Sequence, residues 1–138
     1  IQAQILRLLK GLRDKHGLTI LLITHDLGVV AQTCDRVGVL YAGTLVETAT
    51  AVELFRAPQH PYTQGLLAAL PRPGSRGTDL AAIEGQVPSG MTAVAGCPFA
   101  ARCPRVFGPC RSERPVLLEP VAGHGVACHL YTAQEAGR

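Results

Sequence analysis

Two groups of residues in this 138-residue chain have the types and spacing that chemistry requires. The first is His25-Asp26, which closes the apolar run Leu18-Thr-Ile-Leu-Leu-Ile-Thr24. A nearly continuous apolar run reads as a strand buried on both faces of a parallel sheet. Ligands of open α/β sheets bind beyond the carboxyl ends of the strands. His25 is therefore placed to donate a hydrogen bond to a phosphate or a transferring phosphoryl oxygen. The same position also suits a histidine that only caps the strand or bonds a loop carbonyl. Local spacing favours that plainer role, because one histidine is a weak site signal.

The second group is Cys97, Cys103, Cys110 and Cys128, with gaps of five, six and seventeen residues. This is not the close pairing of a zinc ribbon, in which short knuckles hold each pair. Proline follows Cys97 and Cys103; it also follows a ligand cysteine in the bacterial ferredoxin motif, whose spacing is tighter. Arg102, Arg105, Arg111 and Arg114 surround the cysteines, and Glu113 is the only acid from Gly85 to Leu118. Guanidinium groups would offset the negative charge of four thiolates around a metal. Three readings stand on spacing: free buried thiols, two disulfides, or a four-thiolate metal centre. Disulfides need an oxidising compartment, and the α/β half reads as cytosolic. Cys34 lies apart and reads as a small core residue. His124 and His129 flank Cys128 as ordinary surface or loop histidines, with substitution as ligands the rarer alternative. His60-Pro-Tyr-Thr63 is a polar helix start, with Tyr62 packing.

The elements that must position these groups follow from periodicity and punctuation. Ile1, Ile5, Leu8, Leu9 and Leu12 recur at helical spacing. Lys15 and His16 suit the last turn of that helix, and Gly17 suits the residue after it. Asp26 caps a short helix through Thr33. Val37–Ala42 and Thr44–Glu47 flank Gly43 as strand, turn, strand. Thr50-Ala-Val-Glu53 is a capping box opening a helix to Arg56. Pro61 sits in the first turn of a helix through Leu70, ended by Pro71 and Pro73. Pro73, Gly74, Ser75 and Gly77 then suggest a linker. All ten prolines lie at or after Pro58. The composition boundary therefore falls near Ala57, dividing residues 1–57 from a loop-rich 58–138. Residues 85–130 hold six glycines and six prolines, and such a segment needs a staple to hold a fold.

Composition excludes several classes. Hydrophobic residues make up 47% and charged residues 17%, so disorder is not the default. With 4% aromatic residues, the core is expected to be aliphatic. A net charge of +3 without a basic run does not call for nucleic acid, and three Phe and three Tyr leave little to stack bases. No apolar run approaches the roughly 20 residues of a membrane span. The chain opens on Ile1 inside a helix pattern and reads as a fragment whose front is missing, so the lack of a signal peptide carries no information.

Leu21-Leu-Ile-Thr-His25-Asp26-Leu27 closely resembles the switch-histidine segment of ABC transporter ATPases, and Arg36–Gly43 resembles the strand pair that follows it. Downstream, His60-Pro-Tyr-Thr63 with Leu66-Leu67, Gly85-Gln-Val-Pro-Ser89, Gly96-Cys-Pro-Phe99 and Arg102-Cys-Pro104 are similar to the C-terminal extension of the oligopeptide/dipeptide importer subfamily. The resemblance implies the C-terminal part of a P-loop nucleotide-binding domain: α/β, with a parallel-sheet strand, helices and a β-hairpin in 1–57. Residues 58–138 would be the importer extension with a four-cysteine metal site.

It implies a subunit that binds and hydrolyses ATP with Mg²⁺, on the cytoplasmic face of the cell membrane, to power import of peptides or a related small substrate. Its partners would be a second ATP-binding subunit, the transmembrane permease subunits and, indirectly, an extracytoplasmic substrate-binding protein, with no nucleic acid. His25 would contact the γ-phosphate, and Gln2 would follow the loop that communicates across the dimer. Cys97, Cys103, Cys110 and Cys128 would hold a [4Fe–4S] cluster, with Zn²⁺ as the alternative. No Gly-x-x-x-x-Gly-Lys-[Ser/Thr] occurs. That loop, the ABC signature, the Mg²⁺-holding Asp and the catalytic Glu are expected before Ile1, so this stretch alone is expected to be inactive. Glu47-Thr-Ala49 stands where the family has Glu-x-Gly, and Gly90 where a larger residue is usual. The rival reading is a small cysteine-metal module, without an ATPase parent, that binds a partner or nucleic acid.

Overall fold

In the computed structural model, which describes residues 2–70, 83–86 and 95–135, the first element is helix α1, Gln2–His16. It ends on Arg13, Lys15 and His16, cations that suit the negative end of the helix dipole, and Gly17 follows. Arg13 bridges Asp14 and Asp35 at 2.9 and 3.1 Å. The expected strand over Leu18–Thr24 is not formed: Leu21 and Ile23 are 88% and 89% exposed. The residues are right for a buried strand. A ladder, however, needs neighbouring strands, and a parallel one needs helices over both faces; neither stands against this run among the described residues. Helix α2, Leu27–Thr33, is capped by Asp26, whose carboxylate accepts from the Gly28 and Val29 amides at 2.9 and 3.1 Å. These elements form one compact unit, Ile1–Asp35.

The second unit, Arg36–Arg138, is built on a four-stranded sheet of order β1-β2-β4-β3. Its strands are β1 (Arg36–Tyr41), β2 (Thr44–Thr50), β3 (Leu118–Val121) and β4 (His124–Val126). Every pairing is antiparallel, so the parallel sheet read from the sequence is not the sheet of the described residues. Ala42 and Gly43, at φ +45° and +74°, make the two-residue turn whose twist matches a β-hairpin. The capping box is formed: the Thr50 hydroxyl accepts from the Glu53 amide at 3.2 Å and the Glu53 carboxylate accepts from the Thr50 amide at 3.3 Å. It opens α3, Ala51–Arg56, and α4 follows over Pro61–Ala68, two residues shorter than expected. A 3₁₀ turn (Ala100–Arg102), α5 (Pro109–Ser112) and α6 (His129–Glu135) complete the unit. The linker expected around Pro73–Gly77, and Gly90, lie outside the described residues.

The core of this unit is not the aliphatic one that composition suggests. Tyr41, Tyr62 and Phe99 meet at ring-centroid distances of 4.7 to 5.4 Å, joined by Val39, Val46, Ala49, Leu54, Cys97 and Cys110. Aromatic residues are few but concentrated in one place, and such pairs add about 0.5–1.5 kcal/mol each beyond the area they bury. The compact-unit boundary, after Asp35, lies upstream of the composition boundary at Ala57 because the β1–β2 hairpin supplies one wall of this core. Among the described residues no helix is long and apolar enough to cross a membrane.

Candidate functional site

The four C-terminal cysteines come from four different pieces of backbone and converge on one cavity. Cys97 leads into the 3₁₀ turn, with its carbonyl accepting from the Ala100 amide at 3.0 Å. Cys103 ends that turn, Cys110 lies in α5, and Cys128 follows β4. The Cys97 amide donates to the Cys110 carbonyl at 2.9 Å. That close approach requires glycine at 96, where a Cβ would run into the Cys110 carbonyl oxygen and the Arg111 backbone. All four thiols, with His60, Phe99 and His129, line a cavity of about 10 Å³, roughly the room one water needs. Burial pushes the Cys97 and Cys103 thiols up and takes Cys128 to about 11, with the neighbouring thiols adding to each shift.

All five cysteines are free, which removes the two-disulfide reading. Among the described residues no group of three or more His, Cys, Asp or Glu stands as a formed metal-ligand set. The donor chemistry, four thiols converging on one cavity, fits a thiolate-ligated group; the void as it stands is smaller than such a group.

The arginine surround shrinks to Arg105, which lines the cavity. Arg111 and Arg114 are exposed. Arg102 instead donates to the Ile83 and Glu84 carbonyls, each at 2.8 Å, and to the Tyr41 hydroxyl at 3.3 Å. Cys34 is half-buried and belongs to the first unit.

The flanking histidines are not surface residues. His124, in β4, is 3% exposed, and its Nε2 lies 2.7 Å from Glu47 Oε1. His129 lines the cavity and contacts the Glu113 carbonyl through Nε2 at 2.9 Å. Sequence reasoning missed Glu47 as a structural centre. It is fully buried and accepts from the Gln59 amide at 2.6 Å, the His60 amide at 3.0 Å and His124. The usable signal was a lone acid in the apolar-and-Thr run of β2, since buried charges are paired. His60 caps α4 as expected, its Nδ1 accepting from the Tyr62 amide at 3.1 Å. It is also only 1% exposed, and burial lowers its pKa to about 4. Tyr62 packs as expected.

His25 is exposed, between residues 18–24 and the capping Asp26. It belongs to the first unit and the cysteines to the second.

Residues 46–110 match the family described as oligopeptide/dipeptide transporter, C-terminal region. The match spans just under half of the chain. It contains Glu47, the His60 cap and three of the four cysteines. The chain is 51% identical over 93% of its length to the probable peptide ABC transporter ATP-binding protein y4tR of Sinorhizobium fredii, covering 38% of that protein. It is 47% identical over 99% of its length to the oligopeptide transport ATP-binding protein AppD of Bacillus subtilis, covering 42%. The dipeptide transport ATP-binding protein DppD of the same organism is 47% identical over 94% of the chain and is covered to 39%. The chain thus spans about two fifths of the length of these relatives and matches them on both sides of the transporter region.

Proposed function

We propose that this chain is part of an ATP-binding, ATP-hydrolysing subunit that powers peptide import. The observation that carries the reading is the extent of the match. A relative named for oligopeptide transport aligns with 99% of the chain, so the His25 segment and the cysteine region fall in one protein type. A free-standing cysteine-metal module would not share the first 35 residues with ATP-binding proteins. In this reading residues 1–57 belong to the ATPase domain and 58–138 to the extension. The phosphate-cradling loop, signature, Mg²⁺-holding Asp and catalytic Glu belong to the rest of the subunit. The exposed Leu21 and Ile23 support this, since they are sheet-interior residues in want of neighbouring strands. The partners are a second ATP-binding subunit and the permease subunits at the cytoplasmic membrane face, with the substrate-binding protein acting through them.

His25 would donate to the γ-phosphate of bound ATP. A donor of this kind acts mostly on charge that develops in the transition state, and losing one costs about 10²–10³-fold in rate. In the full-length subunit, His25→Ala is expected to retain nucleotide binding and to lose hydrolysis by about that factor. Lost binding with unchanged turnover would make His25 a strand cap only. The fragment Ile1–Arg138 by itself is expected to hydrolyse no ATP.

Cys97, Cys103, Cys110 and Cys128 would be the four ligands of a [4Fe–4S] cluster, with Zn²⁺ the alternative. Their convergence and their apolar surroundings support that set. Such a group would supply a covalent staple for the loop-rich extension. Iron, sulfide and zinc analysis of anaerobically purified subunit tests it. Each Cys→Ser change at the four positions should abolish the metal, while Cys34→Ser should not. Metal retained in full after Cys110→Ser would break the assignment.

A further inference from the structure

Among the described residues, the buried side-chain polar atoms with no hydrogen-bond partner are Gln59 Oε1, His60 Nε2 and Thr63 Oγ1. They fall within five consecutive residues at the start of α4. Buried polar groups are otherwise almost always paired, so a local concentration of orphans asks for a partner.

His60 is the informative one, because its chemistry is fixed by its neighbours. Its Nδ1 accepts from the Tyr62 amide and therefore carries no proton. The ring proton sits on Nε2, on the other side of the imidazole. The ring cannot easily swing away, since Glu47 holds the His60 amide and Phe99 packs at a centroid distance of 5.9 Å. His60 lines the same cavity as the four thiols. A residue of the cavity wall therefore carries one buried, fixed N–H donor with no acceptor. Thiolate or sulfide sulfur, negatively charged, is a good acceptor for such a donor.

We infer that His60 donates its Nε2–H to a sulfur of the thiolate-ligated group held at this cavity, and so acts as a positioning residue for that group. The inference rests on the four-cysteine reading above. Hydrogen bonds to ligand sulfur orient a metal site and tune it, and for an iron–sulfur cluster they favour the more negative, reduced state. Arg105 also lines the cavity but is exposed.

Two substitutions separate the donor from the helix cap. His60→Asn keeps a capping oxygen at the Nδ1 position, where Asn is among the best N-caps, and removes the donor. His60→Gln reaches the Nε2 position with an amide N–H and gives up the cap. In full-length protein purified anaerobically, His60→Asn should keep its iron and melt near wild type, with a lower cluster midpoint potential. His60→Gln should melt earlier with a potential close to wild type. An unchanged potential in a fully loaded His60→Asn protein overturns the inference and leaves the four-cysteine reading intact. Wild-type protein with no metal overturns both. If the metal is zinc, chelator competition reads the same pair: zinc retention should fall about tenfold or more in His60→Asn, and equal retention overturns the inference. If neither variant folds, pulsed electron paramagnetic resonance of reduced wild type carrying ¹⁵N-histidine decides. A weak nitrogen coupling is expected, and its absence overturns the inference.

Discussion

Replacing Glu47 by Gln removes one acceptor oxygen and almost no volume, so its effect reads the hydrogen-bond network directly. Glu47 Oε1 accepts two donors, the Gln59 amide at 2.6 Å and His124 Nε2 at 2.7 Å, while Oε2 accepts the His60 amide at 3.0 Å. Glutamine offers one oxygen and one NH₂ group. Its best orientation places the oxygen at the Oε1 position and turns the NH₂ on the His60 amide, leaving that buried donor unsatisfied. One orphaned buried donor costs about 1–3 kcal/mol. The two remaining bonds lose their charge assistance, which roughly halves their strength and adds about 1 kcal/mol. The total is about 2–4 kcal/mol, and no rotamer avoids it because every orientation leaves an N–H facing an NH₂. For a unit of roughly 100 residues this lowers the melting temperature by about 10–30 °C. Hydrogen exchange gives a local reading: amides 59 and 60 should exchange about 30-fold faster or more at neutral pH, since 1.4 kcal/mol is a factor of about ten. Melting within 2 °C of wild type (about 0.5 kcal/mol at most), with unchanged exchange at those two amides, would show that the network does not hold the sheet to α4.

Gly96→Ala should destabilise the second unit by about 3 kcal/mol, at the upper end for overpacking, because the new Cβ would press on the backbone of Cys110 and Arg111 rather than on a yielding side chain; denaturant unfolding checks this, and an unchanged midpoint would refute it. The depressed His60 pKa gives a pH dependence of defined sign. Unfolded His60 binds its proton below about 6.5 and the folded ring only below about 4. Stability is therefore full above pH 6.5 and is lost as pH falls through 6.5 towards 4, by up to about 3 kcal/mol. Urea unfolding at pH 7 and pH 4.5 should show this loss, and His60→Asn should flatten it; an equal slope in the variant assigns the loss elsewhere.

What could be read from the sequence was local. Asp26 and Thr50 announced α2 and α3 because a cap and the amides it serves lie within three residues. The Ala42-Gly43 turn fixed its hairpin in the same way. The β3–β4 hairpin was not legible, since Pro120 argues against a strand and is tolerated here only because β3 lies at the sheet edge. The Leu18–Thr24 run gave a true signal of burial, but that signal does not name the partner, and sheet direction is a property of partners. At the site, residue type alone marked the four cysteines. The roles of Glu47, His60 and His124 were not legible because they exist only when distant segments meet, and a lone acid, a helix start and a loop histidine look ordinary one at a time.

The pairing of β2 with β4 also sets an order of assembly. Glu47 and His124 are 77 residues apart in the chain, so the central strand of the sheet receives its second neighbour only when the last sixth of this sequence has been made. During synthesis the β1–β2 hairpin must wait with a carboxylate on the side that will become interior, and with Cys128, the last of the four thiols, still to come. A product ending just after Arg114 would lack β3, β4 and α6 and would leave the Glu47 carboxylate without His124. Completion of the C-terminus is therefore the step that closes the sheet of the whole extension.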